Sequence, residues 1–429
     1  MCNGTIMDKL ISFSIPLMLS GILQLMFNAV DIVVVGRFSG SQALAAVGST
    51  TALINVFTNL FIGISLGANV LAARYYAAGK TKEMSETVHT AIALALVSGV
   101  AMAVIGVVFA RGALEIMGTP DDVIAKSTLY MRIYFCGMPF FMMYNYGAAI
   151  LRAVGDTKRP LIFLIVSGVI NAVLNLFLVI GFHLDVAGVG IATVISQLVS
   201  CILVLRCLHH TESSYQLHLA KLRIRSVYLK QIFEVGVPAG IQSTVINISN
   251  AMLQSSVNSF GSIAMAGYTA SNNIFGFLYV SVNSFTQACM SFTSQNYGVK
   301  KLKRMDRVLI DCMILSVVVT LILGSSVYIF GPELLHIYSN QADVIKYGME
   351  IFSYTTVTYF LCGLMDLFPG ALRGMGYSTV PMILSIIGTV GVRIIWIYGL
   401  FPSHRSLTFL FLSYPVSWIA TIIMQVICF

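Results

Sequence analysis

Charge is what this sequence has least of. Of its 429 residues only 10% are Asp, Glu, Lys or Arg, 57% are hydrophobic, and the mean hydropathy is +0.87. Soluble domains carry roughly 25% charged residues, so a water-exposed globular protein is excluded and an integral membrane protein is indicated. Patterned cysteine and histidine are missing too. The eight cysteines are scattered in or beside apolar runs without a C-x-x-C pair, which argues against a disulfide scaffold and a zinc site. The seven histidines form no H-E-x-x-H, so nothing points to a membrane metalloenzyme. A cleavable signal peptide is not evident either. The first apolar segment follows Asp8 and Lys9, is longer than an h-region and lacks a small-residue cleavage site.

What the chain has instead is apolar runs of about 20 residues, each long enough to cross a hydrocarbon core of roughly 30 Å as a helix. About twelve occur by that criterion, at 10–36, 44–73, 88–110, 126–150, 160–182, 186–207, 231–259, 264–296, 307–330, 343–370, 380–400 and 406–429. The loops between them alternate in charge. Arg74, Lys80 and Lys82 occupy one, Arg152, Lys158 and Arg159 another, then Arg206 to Lys230, then Lys300 to Arg307. The intervening loops hold few basic residues, so the positive-inside rule places both termini in the cytoplasm. The net charge of +8 therefore reads as topology, with attraction to anionic lipid, and not as nucleic-acid binding.

The chain is written twice. "ILRAVGDTKRP" (150–160) matches "ALRGMGYSTVP" (371–381), pairing Leu151, Arg152, Gly155 and Pro160 with Leu372, Arg373, Gly376 and Pro381. Asp122-Val123-Ile124 answers Asp343-Val344-Ile345, Pro16 answers Pro238, Asn28 answers Asn250 and Phe38 answers Phe260. Each half has an even number of spans, so the repeats enter the membrane in the same orientation. The expected fold is all-α: twelve transmembrane helices in two six-helix lobes related by a pseudo-two-fold axis along the membrane normal. The lobes are expected at 1–207 and 231–429, joined by a cytoplasmic linker at 208–230. Two bundles flanking a cavity suit alternating access. A structural bundle would explain the repeat but not the ionisable groups inside the bilayer, which are functional by default.

The sequence resembles the multidrug and toxic compound extrusion (MATE) family along essentially its whole length. The likeness lies in "IPLMLSGILQLMFNAVDIVVVGRFSGSQALAAVG", "LRAVGDTKRP", "NAVLNLFLVIGFHLDVAGVGIATVISQ", "EVGVPAGIQ" and "LRGMGYSTVP", in that order. It implies secondary active export of drugs or metabolites, driven by protons or sodium ions moving inward. It also implies a cation-coupling site in the first lobe at Asp31, Asn171, Asn175 and Thr193. Asn175 departs from the family pattern, which often has a second carboxylate there. Positions 171 and 175 share a helical face, and their oxygens beside Asp31 would form a cluster able to hold Na⁺ or to let Asp31 titrate alone. With one carboxylate, protons are preferred to sodium; no other cofactor is implied. Interhelical hydrogen bonding is the alternative role for the two amides.

In the second lobe the candidates are Asp366, Gln242 and Asn250. An ion pair with Arg393 is the structural alternative for Asp366. Arg132 and Glu350 are read as snorkelling structural residues, and Asp311 as a partner of Arg307 at i, i+4. The polar residues with reason to face an aqueous cavity are Asn145, Asn272, Asn273, Asn283 and Gln287. Pro139 and Pro369 are expected to interrupt spans four and ten. The small-molecule partners would be amphipathic, often cationic, organic compounds, handled by a monomer in the plasma membrane. A lipid-linked oligosaccharide or peptidoglycan-precursor flippase is the nearest alternative, but the basic residues are mostly in loops and not in a cavity. A membrane enzyme lacks a convergent catalytic set, and one buried Asp per lobe suits a carrier better than a channel.

Overall fold

In hydrocarbon a backbone N–H or C=O without a partner is costly, so an apolar run has to bond internally as a helix. The computed structural model describes residues 1–428, the side chains of Ser41 and Ala52 excepted, and no strand occurs among them. Phe429, the end of the expected twelfth span, lies outside the described residues. The first repeat contains α1 (Met7–Phe38), α2 (Ser41–Ala77), α3 (Thr81–Ile116), α4 (Asp121–Cys136), α5 (Met138–Ala153), α6 (Lys158–Leu176) and α7 (Asp185–His209). The second contains α8 (Ser226–Asn258), α9 (Ser262–Gly298), α10 (Leu302–Ile329), α11 (Gly331–His336), α12 (Ala342–Thr355), α13 (Tyr359–Gly374), α14 (Thr379–Ser385), α15 (Val392–Ile395), α16 (Leu407–Phe411) and α17 (Ser413–Cys428). With α4–α5, α12–α13, α14–α15 and α16–α17 each taken as one interrupted span and the short α11 set aside as a connecting turn, this is the twelve-helix arrangement. Among the described residues, eight helical segments are individually long and apolar enough to cross a membrane, and the bent pair α12–α13 makes a ninth.

Three pairs of left-handed residues recur at one constant spacing: Gly40 with Gly261, Gly79 with Lys300, and Gly155 with Gly376. The last pair caps α5 and α13 identically. The Gly155 N–H donates to Arg152 O at 3.0 Å and that of Asp156 to Leu151 O at 2.9 Å, while Gly376 and Tyr377 repeat the pattern onto Arg373 and Leu372 at 2.8 and 2.9 Å. This is the left-handed helix cap that glycine supplies at least cost, and it carries the duplication from sequence into backbone.

Two compact units form, Leu19–Val237 and Met1–Met18 with Pro238–Phe429. The expected lobe limits follow the repeat, whereas these packing limits follow its prolines. The division crosses α1 two residues beyond Pro16 and crosses α8 at Pro238. In the unit that contains the chain's start, Leu10, Phe13 and Leu17 pack with Phe285, Phe292 and Phe368, Phe13 meeting Phe292 edge-on at 5.6 Å. In the other unit Ile232, at the start of α8, is fully buried, and Gly67 and Gly236 let the α2 and α8 backbones touch.

The segment joining the repeats is shorter than expected, because α7 reaches His209 and α8 begins at Ser226. It is held on α3. Glu86 accepts from Arg223 at 2.5 Å and from Arg225 at 3.2 Å, and His89 Nε2 accepts the His218 backbone N–H at 3.1 Å. The Arg307–Asp311 pair forms at 3.0 Å. Span four breaks at Gly137, and Pro139 opens α5. Span ten corrects the expectation: α13 runs through Pro369, and the 53° bend falls between Thr355 and Tyr359. There the hydroxyls of Thr356 and Thr358 donate back to Phe352 O and Tyr354 O at 2.6 and 2.7 Å, and such bonds compete with the helical ladder and bend it.

Small residues set the helix spacing, as membrane packing requires. A Cβ on Gly99 of α3 would lie 2.5 Å from Pro139 Cα, whereas one on Gly112 of the same helix would meet open space. Gly99→Ala is expected to destabilise by about 1–3 kcal/mol through overpacking. Gly112→Ala is expected to stabilise by about 0.5–1 kcal/mol through the lower helical cost of alanine. Thermal unfolding of both variants in detergent micelles checks the contrast.

Candidate functional site

The site in the first unit depends on how closely α6 approaches α1. Gly168 has no side chain, and the Phe27 ring occupies the space where its Cβ would be. One turn further along α6, Asn171 and Asn175 are buried on the same face. Asn175 Nδ2 donates to Asp31 Oδ1 in a short hydrogen bond and also to Asn171 Oδ1 at 3.1 Å. Asn175 is fully buried, and its own carbonyl oxygen has no hydrogen-bond partner among the described residues. Three of the four residues assigned to this lobe are thus joined in one hydrogen-bonded chain. The fourth is not: the Thr193 hydroxyl donates to Val189 O of its own helix at 2.9 Å. Immediately after Asn175 the helix widens into a π turn over Phe177–Gly181, a distortion frequent at functional sites. Tyr130 and Tyr134 of α4 are within electrostatic reach of Asp31. Their i, i+4 spacing is visible in the sequence, but nothing there ties α4 to α1.

The arrangement suits a carboxylate. Asp31 receives an N–H, and a buried charge with a donor costs less than one without. Among the described residues no group of three or more His, Cys, Asp or Glu gathers that could hold a metal ion. The oxygens beside Asp31 are amide oxygens.

In the second unit the three candidates separate. Gln242 accepts from Arg373 Nη2 at 2.5 Å, and Asn250 accepts from Arg393 Nη1 at 2.7 Å. Asp366 joins neither amide. The ion pair with Arg393, the structural alternative for Asp366, is also absent from the ion pairs of the described residues. The cation within electrostatic range of Asp366 is Arg373, two turns along the same helix, and the two form no ion pair among the described residues. That alternative named a distant arginine because adjacency between spans ten and eleven is invisible in one dimension, whereas i, i+7 along α13 is there to read. Of the residues expected to face a cavity, Asn272 and Asn273 are exposed, and Asn145, Asn283 and Gln287 are partly buried. Asn145 spends its amide on Phe141 O at 2.8 Å. Arg132 likewise donates to a backbone oxygen, that of Val107, at 3.1 Å, and Glu350 accepts from Thr408 at 2.6 Å.

The MatE family model matches residues 16–177 and 238–398, one match in each repeat and together most of the chain. The chain belongs to the MATE family. Among its relatives, the Bacillus subtilis "Probable multidrug resistance protein YoeA" is 30% identical over 389 residues, covering 89% of this chain and 84% of that protein. The "Multidrug export protein MepA" of Staphylococcus saprophyticus is 23% identical over 93% of this chain and 89% of its own. A solved "Outward-facing conformation of a multidrug resistance MATE family transporter of the MOP superfamily" superposes with a TM-score of 0.91 at 19% identity, covering 99% of this chain and 95% of that one. At that identity the structural likeness speaks for the fold. As a MATE protein the chain is a multi-pass membrane transporter, and the Asp31 cluster is its first-repeat polar centre.

The hydrogen bond between Asp31 and Asn175 is testable as a coupling. Asn175→Ala is expected to cost about 1–3 kcal/mol, the penalty for leaving a half-buried charged acceptor short of a donor. Asp31→Asn combined with Asn175→Ala is expected to cost less than the two single changes added together. Denaturation midpoints of the four proteins of this double-mutant cycle measure the difference.

Proposed function

We propose that this MATE transporter exports amphipathic, often cationic, organic compounds in exchange for protons, with Asp31 as the group that changes charge during the cycle. The observation that carries this reading is the hydrogen-bonded chain Asp31–Asn175–Asn171, in which both amides are buried and Asp31 is half-buried. An ionisable group held inside a membrane bundle is a functional site by default, and here its partners are neutral, so no fixed positive charge pins it in the ionised form. When Asp31 is ionised it accepts from Asn175 Nδ2. When protonated it becomes a donor, and the unpartnered Asn175 Oδ1 is the nearest buried acceptor once the amide turns. Gaining a proton therefore rewrites the hydrogen bonds that join α1 to α6, which gives the ion a mechanical consequence.

Sodium is the second candidate for the coupling ion. One carboxylate and two amide oxygens are oxygen ligands of the right kind, but a single negative charge favours the proton. The names of the relatives, multidrug resistance and multidrug export proteins, support the substrate class. We infer alternating access between the two repeats, cytoplasmic termini from the basic loops, residence in the plasma membrane, and function as a monomer, since each chain carries both repeats.

The test is uptake of a fluorescent lipophilic cation into liposomes holding the purified protein, with a proton gradient and a sodium gradient imposed separately. Wild type is expected to respond to the proton gradient. Asp31→Asn is expected to stay folded, to bind the dye and to transport at the level of protein-free liposomes. Gradient-driven transport by Asp31→Asn equal to wild type would make Asp31 structural, and a response to sodium alone would replace the proton.

A further inference from the structure

At the place in the second unit that the repeat assigns to the Asp31 cluster stands a group of opposite charge. In the register that pairs Gly155 with Gly376, Arg393 corresponds to Ala172, beside Asn171, and Tyr414 corresponds to Thr193. In the register that pairs Pro16 with Pro238, Asn250 corresponds to Asn28, one helical turn before Asp31. Arg393 is only 3% exposed. Its Nη1 donates to Asn250 Oδ1 at 2.7 Å, its Nε donates to Ser417 Oγ at 3.3 Å, and its guanidinium carbon sits 4.7 Å from the centre of the Tyr414 ring. The Tyr414 hydroxyl in turn lies 2.8 Å from that of Tyr268.

Every one of these partners is neutral. Arg393 takes part in no ion pair among the described residues. A guanidinium carries five N–H donors in a planar fork, and its partners here use two of them. No described residue accepts from Nη2. The cluster is also not sealed, since Asn250 and Tyr414 are both half-buried. The backbone is irregular around it: Arg393 sits in the short α15 between π turns at Ile386–Gly391 and Trp396–Leu400. Such bulges cluster at functional sites. Arg373, the other buried arginine of this unit, also forms no ion pair among the described residues, but it has Asp366 within electrostatic range on its own helix.

A buried cation with no counter-charge is expensive, and the usual remedy of an acid partner is missing among the described residues. We propose that Arg393, with Asn250 and Tyr414, binds the anionic group, carboxylate or phosphate, of an organic substrate. The free edge of the guanidinium offers the paired donors that such groups accept. Asn250 has its oxygen on Arg393, which leaves its Nδ2 to donate to the same anion. The transporter therefore takes compounds that carry an acidic group, zwitterions included. This inference rests on the exporter reading and deepens it: one repeat offers a carboxylate and the other a guanidinium.

The test uses the full chain in neutral detergent and two dyes that share a xanthylium cation, rhodamine B with a free carboxylate and its ethyl ester without one. Fluorescence anisotropy gives the affinity of each. Wild type is expected to prefer the acid. Arg393→Gln is expected to lose about tenfold in affinity for the acid, about 1.4 kcal/mol, and to leave ester binding unchanged. Arg393→Lys is expected to keep part of the preference, because an ammonium supplies the charge without the fork. If Arg393→Gln fails to fold by gel filtration, Arg393→Lys and Asn250→Ala carry the test through a reduced acid preference.

A role confined to tying helices together would change stability but not the ratio of the two affinities. Equal affinity of wild type for both dyes, or a preference that survives in Arg393→Gln, overturns this proposal and leaves the exporter reading standing. Failure of folded wild type to bind either dye overturns both. In a further arm with phosphatidylglycerol in the micelles, displacement of the acid but not the ester would overturn the substrate assignment in favour of a lipid phosphate.

Discussion

A charge held in the hydrocarbon layer gives up hydration that no single side chain replaces, and the position of each ionised group in this chain follows from that cost. Most of the basic residues avoid it by sitting in loops or near helix ends, and in one loop Arg223 and Arg225 share Glu86. Those that remain inside are surrounded by specific donors and acceptors. Asp31 is held by Asn175, Arg373 by Gln242 with Asp366 nearby, and Arg393 by Asn250, Ser417 and Tyr414. Asn175, Gln242 and Asn250 are the neutral groups that make these charges tolerable, each bonded to one of them, whereas other interior amides such as Asn145 bond to backbone oxygens.

The duplication gives one backbone plan two chemistries. Left-handed caps recur at Gly155 and Gly376, and prolines recur at positions 16 and 238. The polar centres built on that common plan differ in sign, with an acid and two amides in the first repeat and a guanidinium among neutral partners in the second. Helix geometry tolerates this because the backbone bonds are made within each helix and do not depend on the side chains that project from it. A transporter assembled from two such repeats can divide ion coupling and substrate recognition between them.

Much of the first-repeat centre was legible in the sequence. Asp31 stands out as an acid within a long apolar run, and the i, i+4 spacing of Asn171 and Asn175 places both amides on one helical face. Thr193 was not legible in the same way. A hydroxyl in a helix has an acceptor in its own preceding turn, and Val189 O takes it. The alternative pairing of Asp366 with Arg393 does not form among the described residues, for a related reason. A linear sequence orders the residues along each helix but does not rotate one helix against another, and that rotation sends Arg393 to Asn250. The bend in span ten was expected at Pro369, where the helix continues, and it falls at a run of threonines whose hydroxyls compete for helical carbonyls.

The sequence by itself determined the membrane setting, the helical class, the number of spans and their duplication. Hydrophobic length and local backbone bonding are properties of contiguous residues, so one dimension suffices for them. Only the tertiary structure decided which amide serves which charge, that the packing units divide at the prolines of α1 and α8, and that the second repeat holds a buried arginine with no ion pair among the described residues. These depend on helix rotation and on close approach at residues such as Gly168, where a missing side chain lets the α6 amides reach Asp31.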